Sequence, residues 1–75
     1  MTQCEIIVRH LNDFGYITPG EAFIEYGIYR LSARICDLRR RGMRIETELV
    51  KSKNRYDEPI RFAKYVLQTD KEVVS

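Results

Sequence analysis

The chain has 75 residues, with 13 basic and 11 acidic side chains and a formal net charge of +2. That length means one domain with a small core, and so balanced a total points to no class of partner by itself. The aliphatic run Ile6-Ile7-Val8 is far too short to span a bilayer, and the stretch after Met1 lacks a charged-then-apolar leader, so neither secretion nor a membrane partner is expected and a cytoplasmic location is.

The first predicted element is a helix from Thr2 to Phe14. Cys4, Ile7, Val8, Leu11 and Phe14 recur at helical spacing on one face. Gly15 follows, and glycine takes the left-handed conformation at a helix end without strain. Tyr16-Ile17 is a short β-prone pair. In "TPGE", Thr18 is an N-cap, Pro19 fits the first helical position and Glu21 completes a capping box. The short helix opened there should turn Ala22, Phe23 and Tyr26 inward, and Gly27 should stop it.

A third helix is predicted from Tyr29 to Arg41, with Gly42 as its stop. Ile28, Leu31, Ile35 and Leu38 form one apolar stripe. Arg30, Ala33, Arg34, Asp37 and Arg41 are placed on the opposite side. The three cations at its end suit the negative pole of the helix dipole, although two would suffice. After Gly42 the period changes to two. Met43, Ile45, Thr47 and Leu49 alternate with Arg44, Glu46, Glu48 and Val50, as in a half-buried strand. Lys51 to Pro59 has turn chemistry. Ile60 to Leu67 alternates again, so the two strands make a β-hairpin. The domain is expected over residues 1–67, and residues 68–75 are expected to be a polar, frayed tail.

Chemistry-bearing constellations are absent from this pattern. One His and two scattered Cys cannot supply the four ligands zinc needs, so Cys4 and Cys36 are expected as reduced, half-buried thiols. His10 is expected on the surface, with no nucleophile to serve. Glu46 and Glu48 share a strand face without a third acidic partner, which is weak support for a metal. No catalytic residue, metal or cofactor is expected, and the chain is not expected to be an enzyme.

Charge is distributed unevenly. From Arg30 to Arg55 there are nine basic and three acidic residues, a net of +6, and the remainder carries a net of −4. A basic half beside an acidic half suits a surface for a polyanion. Ordinary solvated charge on a helix and a hairpin is the plainer alternative.

The order helix, short strand, helix, tight turn, basic helix, strand, basic loop, strand resembles the winged helix-turn-helix domains. The likeness is carried by the Tyr26-Gly27 turn, the spacing from Ile28 to Gly42, and the strand pair with its basic tip. In detail it is similar to short single-domain proteins of bacteriophages and bacterial mobile elements. The resemblance implies an α+β fold of three helices plus a C-terminal hairpin wing. It also implies that the third helix enters the major groove of double-stranded DNA while the wing touches the backbone or minor groove. The implied role is a small sequence-specific DNA-binding protein of a bacterial host cell, a transcriptional regulator or accessory factor. The alternative is a phage-type protein that binds a host nuclease, polymerase or repressor and inhibits or redirects it.

The residues fit that geometry on physical grounds. A helix has the width of the major groove, and arginine pairs with guanine through two hydrogen bonds. Arg30 and Arg34, near the N-terminal half of the third helix, are the candidates for base contact. Tyr29 and Ser32 could bond phosphate or base. Arg39, Arg40, Arg41 and Arg44 lie farther along and suit phosphates. Ala33 and Asp37 complete the candidate helix face, where Asp37 is expected to pair with an arginine three before it or four after it. Lys51, Lys53 and Arg55 on the wing suit the backbone.

Overall fold

A computed structural model describes residues 1–68, so the expected tail lies, but for Gln68, outside the described residues. The helix starts follow from local chemistry. In α1 (Gln3–Phe14) the Thr2 hydroxyl accepts from the Glu5 N–H at 3.1 Å, and the Thr2 N–H donates to the Glu5 carboxylate at 2.7 Å. Thr18 and Glu21 repeat this box at the start of α2 (Pro19–Tyr26). Each box satisfies amides that the first helical turn leaves open. Gly15 and Gly27 close the two helices in the left-handed conformation, with φ of 85° and 67°. The Gly27 N–H donates to the Phe23 carbonyl and the Ile28 N–H to the Ala22 carbonyl, which turns the chain sharply toward the next helix.

The third helix, α3, spans Leu31–Arg40 and is shorter than the spacing suggested. Tyr29 and Arg30 precede it, because the closing turn of α2 consumes Ile28 and Arg30 holds a non-helical φ of −116° and ψ of 60°. Arg41 caps the other end and Gly42 leaves it at φ 102°. The apolar stripe is as expected: Ile28, Leu31, Ile35 and Leu38 are all buried. Together with Ile7 and Leu11 of α1 and Ile17, they fill the core.

Four side chains do not face where they were expected to. Phe14 is 63% exposed, and Phe23 and Tyr26 of α2 stand at the surface too. His10, expected outside, is buried at 5% exposure. It lies three residues after Ile7, at the edge of the inner stripe, and Tyr26 covers it with a hydrogen bond of 2.7 Å to Nδ1. The thiols also divide. Cys4 is buried in the core and Cys36 is exposed, and neither is half-buried.

β1 (Tyr16–Ile17), β2 (Ile45–Lys53) and β3 (Pro59–Leu67) form one antiparallel sheet in the order β1-β3-β2. β1 meets only the last part of β3, Tyr16 opposite Val66 and Ile17 opposite Tyr65. β2 runs beside β3 over its whole length, from Ile45 opposite Leu67 to Lys53 opposite Pro59. The strands therefore extend farther than the turn chemistry of Lys51 to Pro59 suggested. The turn itself is held by Asn54, whose side-chain oxygen accepts from the Tyr56 and Glu58 amides at 2.9 and 3.0 Å. Asp57 takes the left-handed conformation there. In β2 only Ile45 is buried, and Leu49 is 67% exposed. The hairpin leaves the core after its first residues, so the two-residue alternation records the pleat rather than a covered face.

Candidate nucleic-acid interface

The buried line of α3 fixes the direction of every other side chain on it. Successive residues turn about 100° around the axis. With Leu31, Ile35 and Leu38 inward, the line facing away from the core is Ala33, Cys36, Asp37 and Arg40. Ser32 and Arg39 fall on one flank, and Arg34 and Arg41 on the other. The contacts agree. Arg39 donates from Nε to the Ile45 carbonyl at 2.8 Å and from a terminal nitrogen to the Thr47 hydroxyl at 2.9 Å, so its flank faces β2. Arg34 lines a cleft with Gln3 of α1, and Arg41 lines another with Cys4 and Val8 of α1, so their flank faces α1.

Arg30 and Tyr29 stand at the entrance to α3, both exposed. With Gln3 and Arg34 they border a cleft of about 220 Å³. Arg34 is the most enclosed of the candidate arginines. Its terminal nitrogen lies 3.5 Å from the Asp37 carboxylate, and its Nε is buried without a hydrogen-bond partner. Asp37 also approaches Arg40 at 4.0 Å. It pairs with the arginine three before it, as one of the two expected spacings has it, and otherwise with Arg40 rather than Arg41. The Asp37 carboxylate is thus nearer Arg34 than Arg40, and the Arg40 side chain stays 77% exposed. Arg44 is exposed between α3 and β2.

The hairpin sorts its charges by face. The register puts Lys51 opposite Arg61 and Lys53 opposite Pro59, on the face that carries Ile45, Thr47 and Tyr65. Arg39 lies over the Tyr65 ring on that same face, 6.0 Å from its centroid. Glu46 and Glu48 point to the other face, where Glu48 is opposite Lys64. A basic track therefore runs from the end of α3 along one face of the wing to its tip. Lys53 is drawn toward Asp57 at 3.5 Å, and Arg55 is exposed in the turn. Arg61 is a candidate that reading along the chain missed. Its signal is the pairing of two strands, which places it across from Lys51.

Among the described residues, no group of three or more His, Cys, Asp or Glu side chains could hold a metal ion, and no helix is long and apolar enough to cross a membrane. A family model described as a winged helix-turn-helix domain matches residues 2–70, and the chain belongs to that family. The three helices and the antiparallel three-stranded sheet are the α+β architecture of such a domain. No curated protein and no solved structure matches the chain.

Proposed function

We propose that this winged helix-turn-helix protein binds double-stranded DNA sequence-specifically, as a transcriptional regulator or accessory factor of phage or mobile-element type acting in the cytoplasm of a bacterial host. The observation that carries the reading is the sorting of charge: Arg39 of α3 and Lys51, Lys53 and Arg61 of the wing share one face of the hairpin, and Glu46 and Glu48 are turned away from it. A helix presented beside a basic wing suits a major groove and the backbone next to it.

In this reading the outward line of α3, with Ala33 and Arg40, lies in the groove, Ser32 borders it from the flank beside β2, and Tyr29 and Arg30 reach base edges from its entrance. Asp37 holds Arg34 and Arg40 in place. The flank position of Arg34 favours a phosphate over a base, and Arg41 and Arg44 take phosphates beside it. Lys51, Lys53, Arg55 and Arg61 follow the backbone from the wing. The test is titration of a labelled random duplex at several salt concentrations. Affinity should fall linearly on a log–log plot, with a slope of roughly 0.9 per phosphate contacted. A selection for bound sequences then supplies the preferred site.

The second reading is a small phage-type protein that docks on a host nuclease, polymerase or repressor. The exposed Phe23 and Ile24 on α2 favour it, at 49% and 77% exposure. Absence of binding to any duplex at micromolar concentration and low salt would leave that reading standing alone.

A further inference from the structure

A cavity bordered by two carboxylates shares no residue with the basic face of the wing. It has a volume of about 300 Å³, lies between α1 and α2, and is lined by His10, Phe14, Glu21, Glu25 and Tyr26. Three of these are rings. Phe14 lies 4.7 Å from His10 between centroids, tilted by 45°, and Tyr26 meets His10 edge-on at 5.5 Å. Phe14 is largely exposed. Two are carboxylates one helical turn apart. One oxygen of Glu21 is engaged at the start of α2 by Thr18, and Glu25 is exposed.

His10 is the anomaly of this wall. It is buried at 5% exposure, its Nδ1 is bonded to the Tyr26 hydroxyl, and its Nε2 is buried with no partner. An apolar side chain would fill that place in α1 without an unpaired nitrogen, which folded proteins rarely tolerate. The cavity wall therefore sets a polar ring beside two aromatic rings and two carboxylates.

Ring faces and carboxylates together select a cation. A flat guanidinium stacks on an aromatic ring and bonds a carboxylate through its N–H fork. We propose that this cavity receives an arginine side chain from a basic segment of a protein partner. Charge complementarity supports that occupant, since the two carboxylates that line the cavity are Glu21 and Glu25. Ile24, exposed three residues after Glu21 on the same helix, supplies apolar contact for the rest of the segment. The site stands independently of the DNA reading.

The experiment is titration of the isotope-labelled protein with N-acetyl-arginine methylamide and with its neutral isostere, N-acetyl-citrulline methylamide, followed by amide chemical shifts. The arginine probe should produce saturable shifts at Phe14, Glu25 and Tyr26, and the citrulline probe should bind about 10-fold more weakly or not at all. Glu25→Gln and Phe14→Ala alter exposed side chains and should each weaken the arginine response roughly 3- to 10-fold. Equal response to the two probes, no saturable shift, or a response untouched by both variants would overturn the proposal. So would loss of duplex binding in these variants, which would make the cavity part of the DNA interface.

Discussion

Arg39 fastens α3 to the wing: its Nε donates to the main-chain carbonyl of Ile45 at 2.8 Å. A second bond reaches the Thr47 hydroxyl, and the guanidinium rests over the Tyr65 ring. One arginine thus sets the angle between the two elements proposed to touch DNA. Arg39→Met keeps the apolar stem and removes the donors. It should lower stability by about 1–2 kcal/mol and weaken binding to every duplex. A denaturant melt paired with a binding titration checks both. Wild-type stability and affinity would show that the latch is idle.

Leu38 is 1% exposed at the inner line of α3. Leu38→Ala removes most of that contact and leaves a cavity between helices that have little other core. The expected loss is about 2–5 kcal/mol, read from a urea melt. A change below about 1 kcal/mol would mean that the helix can settle without this anchor.

Arg34 and Arg30 were both expected at base edges from spacing alone. The structure turns Arg34 toward α1 and ties it to Asp37. Arg34→Ala should therefore lower affinity for a selected site and for scrambled duplex by the same factor. Arg30→Ala should cost about 1–3 kcal/mol on the selected site and relax preference at one position. A loss confined to the selected site in Arg34→Ala would return that residue to base contact.

Lys51 and Arg61 face each other across the wing on its basic side. Replacing both by Ala should reduce the log–log salt slope by roughly 1.8, two phosphate contacts at about 0.9 each. Replacing Glu46 and Glu48 by Gln, on the other face, should leave the slope unchanged. Identical slopes for wild type and the Lys51/Arg61 variant would remove that face from the interface.

Cys36 provides a reporter that needs no mutation. Its thiol is exposed on the outward line of α3, while Cys4 is buried. Alkylation of the folded protein should label Cys36 first, and saturating duplex should slow that labelling at least about 10-fold if the helix sits in a groove. Unchanged labelling at full occupancy would mean that another surface binds the DNA.

What could be read along the chain was whatever depends on near neighbours. The two Thr–Glu caps, the stops at Gly15 and Gly27 and the stripe from Ile28 to Leu38 are set within four or five residues of one another. What could not be read depends on distant partners. His10 looks like an exposed histidine until Tyr26, sixteen residues on, closes over it. Arg61 looks like one charge in an apolar strand until the register sets it across from Lys51. Leu49 sits in an alternation that suggests a covered face, yet no layer reaches it. Arg39 appeared as one of three equivalent cations, and only the path of β2 separates it from Arg40 and Arg41.

The wing is anchored at one end only. β1 flanks β3 at Tyr65 and Val66, the Leu67 amide donates to the Gly15 carbonyl at 2.9 Å, and the Gln68 amide to the Arg44 carbonyl at 2.8 Å. Beyond Ala63 and Leu49, among the described residues, β2 and β3 have no strand partner but each other. Mechanically this is a cantilever with a stiff root and a compliant tip. Its deflection should grow along its length, so amide exchange should be slowest near Tyr65 and fastest around Arg55. Such a beam can follow backbones of differing groove width while the root, and with it the pose of α3, stays fixed. Extra residues inserted between Arg55 and Tyr56 would lengthen its reach without loading its mount.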